Sequence, residues 1–250
     1  MLIETAMSDR WLSNTYLLGE SSSGFGVLID AGEPATPITQ AIGAHGLKLA
    51  YVLCTHHHVD HIMNLELYKE RYACTACAHR DEAEWIPGVG RVLEDGEEVV
   101  CGDLTVRALH TPGHTRGMLA FVVNDEMVFT GDTLFRDSIG GTVAPGHATF
   151  EDLRHSVMEV LMRLPHEMVV YPGHTLATTI GREWEENPFI RIWRGLESPA
   201  GKRCLAMERP AELIVRATDY DGGTKCWVRF DDDDQDAVVP GSRVTDDWRS

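Results

Sequence analysis

The chain has 250 residues and a formal net charge of −17 at pH 7, with 39 acidic and 22 basic side chains. This length suits one large domain, or one domain with a small appendage. The negative charge repels phosphate backbones and argues against a nucleic-acid partner, and no apolar run approaches the ~20 residues of a membrane helix.

The first 54 residues are predicted to form three strands and a short helix. Residues 12–18 and 26–30 flank a turn over residues 21–24, which is typical of a β-hairpin. A helix over residues 37–44 has Pro37 in its first turn and Gly46 just past its end. The apolar run over residues 49–54 then predicts a buried strand.

A cluster of metal-ligand side chains follows this strand directly, in the sequence Thr55-His56-His57-His58-Val59-Asp60-His61. Imidazole and carboxylate are the usual ligands of zinc and similar divalent ions. We predict that the cluster lies on a loop before a helix over residues 62–70, where a rigid scaffold commonly presents catalytic groups. In such a loop the side chains of His56 and His58 can point the same way while that of His57 points away. Asp60 and His61 can then bind a second ion. The alternative is a helix start with solvated histidines.

Three later motifs each place one candidate ligand after a strand-like run and a glycine. They are His114 in TPGHT, Asp132 in FTGDT and His174 in YPGHT. Glycine lets the backbone turn sharply, so the next side chain lies at the carboxyl end of the strand. Four such motifs in order, each at a strand end, predict a metal site.

The elements between these motifs predict a layered fold. Strands are expected over residues 73–78 and 168–171, hairpins over 99–109 and 118–130, and helices over 150–164 and 180–186. Thr149 and Asp152 have the spacing of a capping box, and His79 is expected to cap or face solvent. Strands in two groups with helices outside predict two packed sheets between helical layers, an α/β or α+β protein.

The glycine-rich segment over residues 134–148 is predicted to be irregular and is a candidate wall of the substrate pocket. His147 within it is expected to face solvent. Arg136, Arg182, Arg191 and Arg194 either anchor an acidic substrate or are merely solvated.

The sequence changes character after Gly195. A linker-like break over residues 197–201 precedes three expected antiparallel strands within residues 212–239. We therefore predict a catalytic domain over residues 1–198 and a small β-strand-rich appendage over residues 205–250. The acidic turn over residues 231–236 lacks the glycine and spacing of a calcium loop, so a solvated turn is expected.

The six cysteines are scattered, and most lie in strand-like apolar surroundings. We expect them to be reduced, and the N-terminus shows no signal-peptide pattern, so a cytoplasmic location is predicted. Cys74 and Cys77 have CxxC spacing, but no partner pair follows, which favours a buried strand over a metal or redox site.

The ordered motifs resemble those of the metallo-β-lactamase-fold hydrolase superfamily over about residues 1–195. Within them, the TGDTLF sequence from Thr130 to Phe135 and Pro172-Gly173-His174 are similar to the glyoxalase II branch. The resemblance implies an αββα sandwich with the metals at one edge between the sheets. It implies two divalent ions, with zinc expected and iron or manganese as alternatives. His56, His58 and His114 would bind the first ion, Asp60, His61 and His174 the second, and Asp132 would bridge both.

The same resemblance implies hydrolysis of a small-molecule thioester, such as a hydroxyacyl thioester, by a hydroxide that bridges the metals. Asp60 and Asp132 are the candidate catalytic carboxylates, and no membrane partner is expected. Two alternatives remain, namely hydrolysis of another ester or lactone and the mononuclear iron chemistry of persulfide dioxygenases, which share the motif set. A glyoxalase II has a helical, glutathione-binding C-terminal region, and the strand-rich tail departs from it, so the thiol carrier is left open.

Two other branches of the superfamily fit less well. Metallo-β-lactamases proper carry cysteine or serine in place of Asp132, and the flavin-dependent di-iron relatives carry glutamate in place of His58.

Overall fold

The computed structural model describes residues 1–20 and 22–246. The chain forms two compact units, each built from several segments. The first unit comprises Met1–His110, Gly117–Gly131 and Val170–Leu176, and the second comprises Thr111–Arg116, Asp132–Val169 and Ala177–Ser250. Ser21, the first residue of the predicted turn, and residues 247–250 of the predicted appendage lie outside the described residues.

The first unit contains a six-stranded sheet with the strands in sequence order. Its strands are β1 (Leu2–Met7), β2 (Asn14–Glu20), β3 (Phe25–Ile29), β4 (Lys48–Leu53), β5 (Thr75–His79) and β6 (Arg91–Leu93). The pairs from β1 to β3 are antiparallel and those from β3 to β6 are parallel. The predicted hairpin and the buried strand after it are confirmed.

Helices α1 (Ala35–Ala44) and α3 (Leu65–Tyr72) pack on this sheet. Ile38, Ile42, Leu65 and Tyr68 join one buried apolar cluster with strand residues such as Val52. Burying an aliphatic side chain of this size contributes about 1.5–3 kcal/mol, so the cluster fixes where the strand ends lie. Helix α1 begins two residues before the predicted start.

Five strands of a second sheet also belong to the first unit. In sheet order they are β13 (Val169–Pro172, of which residues 170–172 belong to this unit), β10 (Met127–Gly131), β9 (Leu119–Val123), β8 (Leu104–His110) and β7 (Glu98–Cys101). Both predicted hairpins are confirmed. The Tyr16 ring of β2 meets the Phe129 ring of β10 edge-on at 5.0 Å, so the two sheets pack face to face.

The helix predicted over residues 62–70 is wrong in its bounds. The chain instead forms α2 (Val59–Ile62) and α3, and Asn64 lies between them. The Asn64 backbone N–H donates to Ala31 O at 2.8 Å and its side chain donates to Gly32 O at 2.8 Å. These bonds compete with helical ones and interrupt the helix. Asp60 and His61 therefore lie on a helical turn, while His56, His57 and His58 lie on the predicted loop.

The first unit also contains the short helix α4 (Arg80–Ala83). The His79 side chain accepts a hydrogen bond from Asp81 N, which confirms its predicted role as a cap. Burial lowers the pKa of His79.

The second unit contains the remaining helices, one short strand pair and one further strand of two residues. Its elements before the tail are β11 (Leu134–Phe135) paired with β12 (Ser138–Ile139), α5 (Phe150–His155), the two-residue strand β14 (Thr178–Thr179), α6 (Ile180–Glu186) and α7 (Pro188–Trp193). The predicted helix over residues 150–164 is α-helical only to His155 and continues as a π-turn and a 3₁₀ turn. Its capping box is confirmed. No helix among the described residues is both long and apolar enough to cross a membrane.

The tail forms a five-stranded antiparallel sheet with its own apolar core. Its strands are β15 (Lys202–Ala206), β16 (Arg209–Thr218), β17 (Thr224–Phe230), β18 (Asp236–Pro240) and β19 (Val244–Thr245). Three of these strands were predicted, whereas β15 and β19 were missed. The acidic turn is not merely solvated, because Asp231 pairs with Arg203, and Asp232 and Asp233 pair with Arg209.

The tail is joined to the glycine-rich segment inside the second unit. Thr142 N donates to Val238 O at 2.9 Å, and Val238 N donates to Thr142 Oγ1 at 2.9 Å. Thr142 is buried, so both bonds are shielded from water. This segment is therefore held along the edge strand β18.

Candidate metal centre

Asp60, His61 and His174 form a cluster of three ligand atoms in the first unit. His61 Nε2 lies 3.4 Å from His174 Nε2 and 3.4 Å from Asp60 Oδ2, and His174 Nε2 lies 3.7 Å from Asp60 Oδ2. Ligands that bind one zinc tetrahedrally at ~2.0–2.1 Å are separated by about 3.3 Å. The cluster thus fits a divalent ion, and three protein ligands leave a position for substrate or water.

Hydrogen bonds on the far side of each ring orient the two histidines. His61 Nδ1 lies 2.9 Å from Asp30 Oδ2, and His174 Nδ1 lies 3.0 Å from the carbonyl oxygen of Trp11. Both partners are acceptors, so each Nδ1 carries the proton and each Nε2 presents its lone pair to the cluster. Such outer contacts fix the tautomer and ring orientation of metal-binding histidines.

His56 and His58 form a second pair of ligand atoms in the same unit. His56 Nε2 lies 3.1 Å from His58 Nδ1, again the separation expected of two ligands on one ion. The Thr55 hydroxyl donates to Asp30 Oδ2 at 2.9 Å and lies 3.0 Å from His56 Nδ1, from which it accepts. His56 is thereby held with Nε2 free of protons.

Asp30 connects both groups and was missed by the sequence analysis. Its side chain is 2% exposed and accepts from Thr55 N, from the Thr55 hydroxyl and from His61 Nδ1. Asp30 directly follows strand β3, just as the candidate carboxylate Asp132 directly follows strand β10. This position at the end of a strand was the signal in the sequence that could have identified Asp30.

The approach of β10 to Thr55 requires a residue without a side chain. Gly131 has a φ of +48°, and a Cβ there would lie 2.8 Å from the Thr55 side chain. Gly131 also accepts a hydrogen bond from Gly173 N, just before His174. The glycine of the FTGDT motif therefore acts as predicted, by allowing a close turn at the strand end.

His114 and Asp132 form a third pair, which lies in the second unit. His114 Nε2 is 3.4 Å from Asp132 Oδ2, and His114 Nδ1 donates to Gly141 O at 2.9 Å. Both side chains are buried. Because Gly141 precedes Thr142, the two bonds between Thr142 and Val238 also support the acceptor that holds His114.

His57 is turned away from the ligand groups, as predicted. Its Nδ1 lies 2.5 Å from Glu82 Oε2, which also accepts from the His57 backbone N–H, and its ring stacks on Trp85. Glu82 Oε1 accepts from Gly117 N. This buried carboxylate fixes the loop between the ligands and was also missed, because nothing in its local sequence distinguishes it from surface glutamates.

The other candidate groups have ordinary structural roles. His147 is exposed, as predicted, and hydrogen-bonds to Ala148 O. Cys74 and Cys77 are buried free thiols, and burial raises the pKa of Cys77 to about 12, which disfavours a thiolate ligand. Among the four arginines, Arg182 contacts Asp137 and Glu183, Arg191 contacts Glu197, Arg194 lies 3.7 Å from Glu185, and Arg136 lies 3.9 Å from Asp137.

Replacing Asp30 with asparagine is expected to weaken metal binding by about 10–100-fold, the usual cost of losing a group that orients a ligand. The amide NH₂ that replaces one carboxylate oxygen is a donor, so it must face either the Thr55 N–H on Oδ1 or the two donors on Oδ2, and that contact is lost. The zinc affinities of the wild type and the variant are measured by competition with a chromophoric chelator. An Asp103→Asn variant changes an exposed turn carboxylate and serves as the control. Equal zinc affinity in the two variants would refute the orienting role.

Comparison with known proteins matches the whole region that holds these groups. A family model described as the metallo-beta-lactamase superfamily matches residues 8–174. A hydroxyacylglutathione hydrolase of Rhizobium johnstonii is 33% identical over 229 residues, which cover 77% of this chain and 86% of the relative.

Two solved structures extend this likeness to the fold. ETHE1 from Myxococcus xanthus is 31% identical, with a TM-score of 0.69 over 80% of this chain and 93% of that one. TTHA1623, solved in a di-iron-bound form, is 29% identical, with a TM-score of 0.65 over 74% of this chain and 99% of that one. These likenesses confirm the predicted αββα sandwich, and the family match ends before the C-terminal β-sheet.

Proposed function

The chain belongs to the metallo-beta-lactamase superfamily, and from this membership we propose that it is a binuclear metal-dependent hydrolase of a small-molecule thioester. One observation carries the proposal, namely the Asp60–His61–His174 cluster, whose ligand atoms lie 3.4–3.7 Å apart with both imidazoles held through Nδ1. The hydroxyacylglutathione hydrolase relatives support hydrolysis, and by analogy with their name we propose a hydroxyacyl thioester as substrate.

We assign seven ligands to two ions. His56, His58 and His114 hold the first ion, Asp60, His61 and His174 hold the second, and Asp132 contributes to both. The family resemblance supplies the assignment of His114 and Asp132, and the 3.1 Å and 3.4 Å separations within the two pairs support it. A shared carboxylate reduces the repulsion between neighbouring dications. Zinc suits this donor set, as do iron and manganese, and the di-iron form of TTHA1623 keeps iron as an alternative.

When bound, the ions supply an activated water at neutral pH and polarise the carbonyl of the substrate. The protein's part is to hold the donors still. Asp30, Trp11 O and Gly141 O each fix one imidazole, which places its unprotonated nitrogen toward the ion. Asp60 is the more exposed carboxylate of the ligand set, with 14% of its side chain accessible against 7% for Asp132. We therefore assign it the proton that the attacking water loses.

The remaining expectations stay proposals. A cytoplasmic location is supported by six buried, free cysteines, which suit a reducing compartment. The catalytic domain over residues 1–198 is proposed to carry the reaction, and the appendage from residue 205 supports it through Thr142 and Val238.

The reaction is tested by thiol release. The purified protein is incubated with a small acyl thioester, free thiol is followed with a thiol-reactive dye, and oxygen is recorded with an electrode in a parallel run on a persulfide. We expect thiol release without oxygen uptake. The His174→Ala variant should lose this activity. The His45→Ala variant, which changes an exposed histidine at the C-terminal end of helix α1, should keep it.

Other outcomes would reassign the function. Oxygen uptake with the persulfide, together with no thiol release from any thioester, would contradict the hydrolase and favour the dioxygenase. Activity on lactones alone would keep the proposed ligands and change the substrate class.

A further inference from the structure

Four large apolar side chains are exposed on the segments that carry the Asp60–His61–His174 cluster. We define this apolar rim as Trp11, Val59, Met63 and Leu176, which are 37%, 57%, 44% and 64% exposed. Val59 lies between the ligands His58 and Asp60, Met63 lies two residues after His61, and Leu176 lies two residues after His174.

The three segments are tied together by hydrogen bonds. His174 Nδ1 donates to Trp11 O at 3.0 Å, Thr175 N donates to Leu12 O at 3.1 Å, and Ser13 Oγ donates to Asp60 O at 3.2 Å. All of them belong to the first unit. The rim is therefore carried on backbone that is fixed by the same contacts that place the ligands.

Exposed apolar residues are ordinary when they are scattered singly over a surface. Three of the four rim residues lie within two residues of a proposed ligand. The fourth, Trp11, accepts a hydrogen bond from the proposed ligand His174 through its backbone carbonyl. Leaving such side chains in water forgoes most of the stabilisation that burial would give. Their position suggests that the apolar surface is covered when substrate is bound.

The charged side chains on the same segments offer no net attraction to an acidic ligand. Apart from the proposed ligands and His57, residues 8–13, 55–63 and 173–176 contain one basic residue, Arg10, and one acidic residue, Asp9. The Arg10 guanidinium lies over the Trp11 ring at 4.6 Å, so it also adds its flat face to the rim. The protein carries a net charge of −17, which further opposes an anionic carrier.

We propose that the apolar rim binds an alkyl tail of the acyl group, so that the preferred substrates are thioesters with an uncharged, apolar acyl chain. This inference rests on the proposed thioester hydrolysis and adds the class of acyl group. A hydroxyl beside the carbonyl is compatible with it, provided that an apolar tail extends beyond. Full burial of one CH₂ group would raise kcat/KM about fourfold. Because the apolar rim encloses the alkyl tail only partly, each added CH₂ should raise kcat/KM about twofold to threefold.

The test is a chain-length series. Acetyl, butanoyl, hexanoyl and octanoyl thioesters of one small neutral thiol are compared by dye-detected thiol release. Six added CH₂ groups at about twofold to threefold each predict that kcat/KM rises at least about 60-fold from acetyl to octanoyl. In the rim variants Val59→Thr and Leu176→Ser this ratio should fall at least about threefold, with the zinc content of the protein unchanged.

Two matched controls make the same substitutions elsewhere. Val100→Thr changes a valine that is 62% exposed on β7, and Leu196→Ser changes a leucine that is 51% exposed after α7. Both should keep the wild-type ratio. If the octanoyl-to-acetyl ratio of kcat/KM fell equally in the rim variants and in the control variants, the proposal would be overturned.

The outcomes separate the rim from the reaction. If no thioester releases thiol, the proposed function itself fails. If thiol is released at the same kcat/KM across the series, or if lactoyl-glutathione is preferred to the octanoyl thioester of the neutral thiol, hydrolysis stands and the apolar rim is not an acyl site.

Discussion

Replacing Asp132 with alanine is expected to abolish hydrolysis and to remove at least one of the two proposed ions. Asp132 is the one ligand assigned to both ions, so its loss removes a donor from each and leaves two cations without a shared carboxylate. We expect kcat to fall beyond the about 10²–10³-fold that the loss of a single stabilising donor costs. Elemental analysis and thiol release on the same preparation measure both effects.

Asp103→Ala is the control for this variant, because Asp103 is an exposed carboxylate in the turn between β7 and β8. It should retain wild-type metal content and activity. A metal content in Asp132→Ala equal to that of the wild type would rule out the bridging assignment.

Removing the metals with a chelator is expected to eliminate activity and to destabilise the fold. In the first unit, His61 and His174 are buried and oriented with their Nε2 atoms 3.4 Å apart. An ion present at about 1,000 times its Kd stabilises the native state by about 4 kcal/mol. For a protein of this size, that shift lowers Tm by roughly 10 °C. Thermal unfolding with and without chelator measures the change.

Zinc added back after removal of the chelator should restore both Tm and activity. The assignment would be wrong if a preparation shown by elemental analysis to be free of metal kept full activity and the same Tm.

The seven proposed ligands stand out in the sequence because each of their motifs lies where a strand ends. The structure groups them as Asp60 with His61 and His174, His56 with His58, and His114 with Asp132. The groups that orient these ligands were not predictable in the same way. Trp11 and Gly141 act through backbone carbonyls, which carry no residue identity, and Glu82 becomes a buried anchor only once the chain is folded.

Elements with strong apolar periodicity were predicted well, and those fixed by neighbours were not. The two-residue strand β19 pairs with β15, whose first two residues are exposed, so neither has the alternation that marks a strand. Helix α7 begins at Pro188 and is capped by the Asn187 side chain, whereas the sequence analysis predicted no helix after residue 186. The break at Asn64 depends on the carbonyls of Ala31 and Gly32, which lie far away in sequence.

The assignment of two ions to one hydrolytic site is tested most directly by titrating the metal-free protein with zinc while thiol release from an acyl thioester is recorded. Seven ligands assigned to two ions predict that activity rises until two equivalents of zinc are bound per chain and then stays constant. Activity that is complete at one equivalent, or that appears only with iron and consumes oxygen, would contradict the binuclear hydrolase.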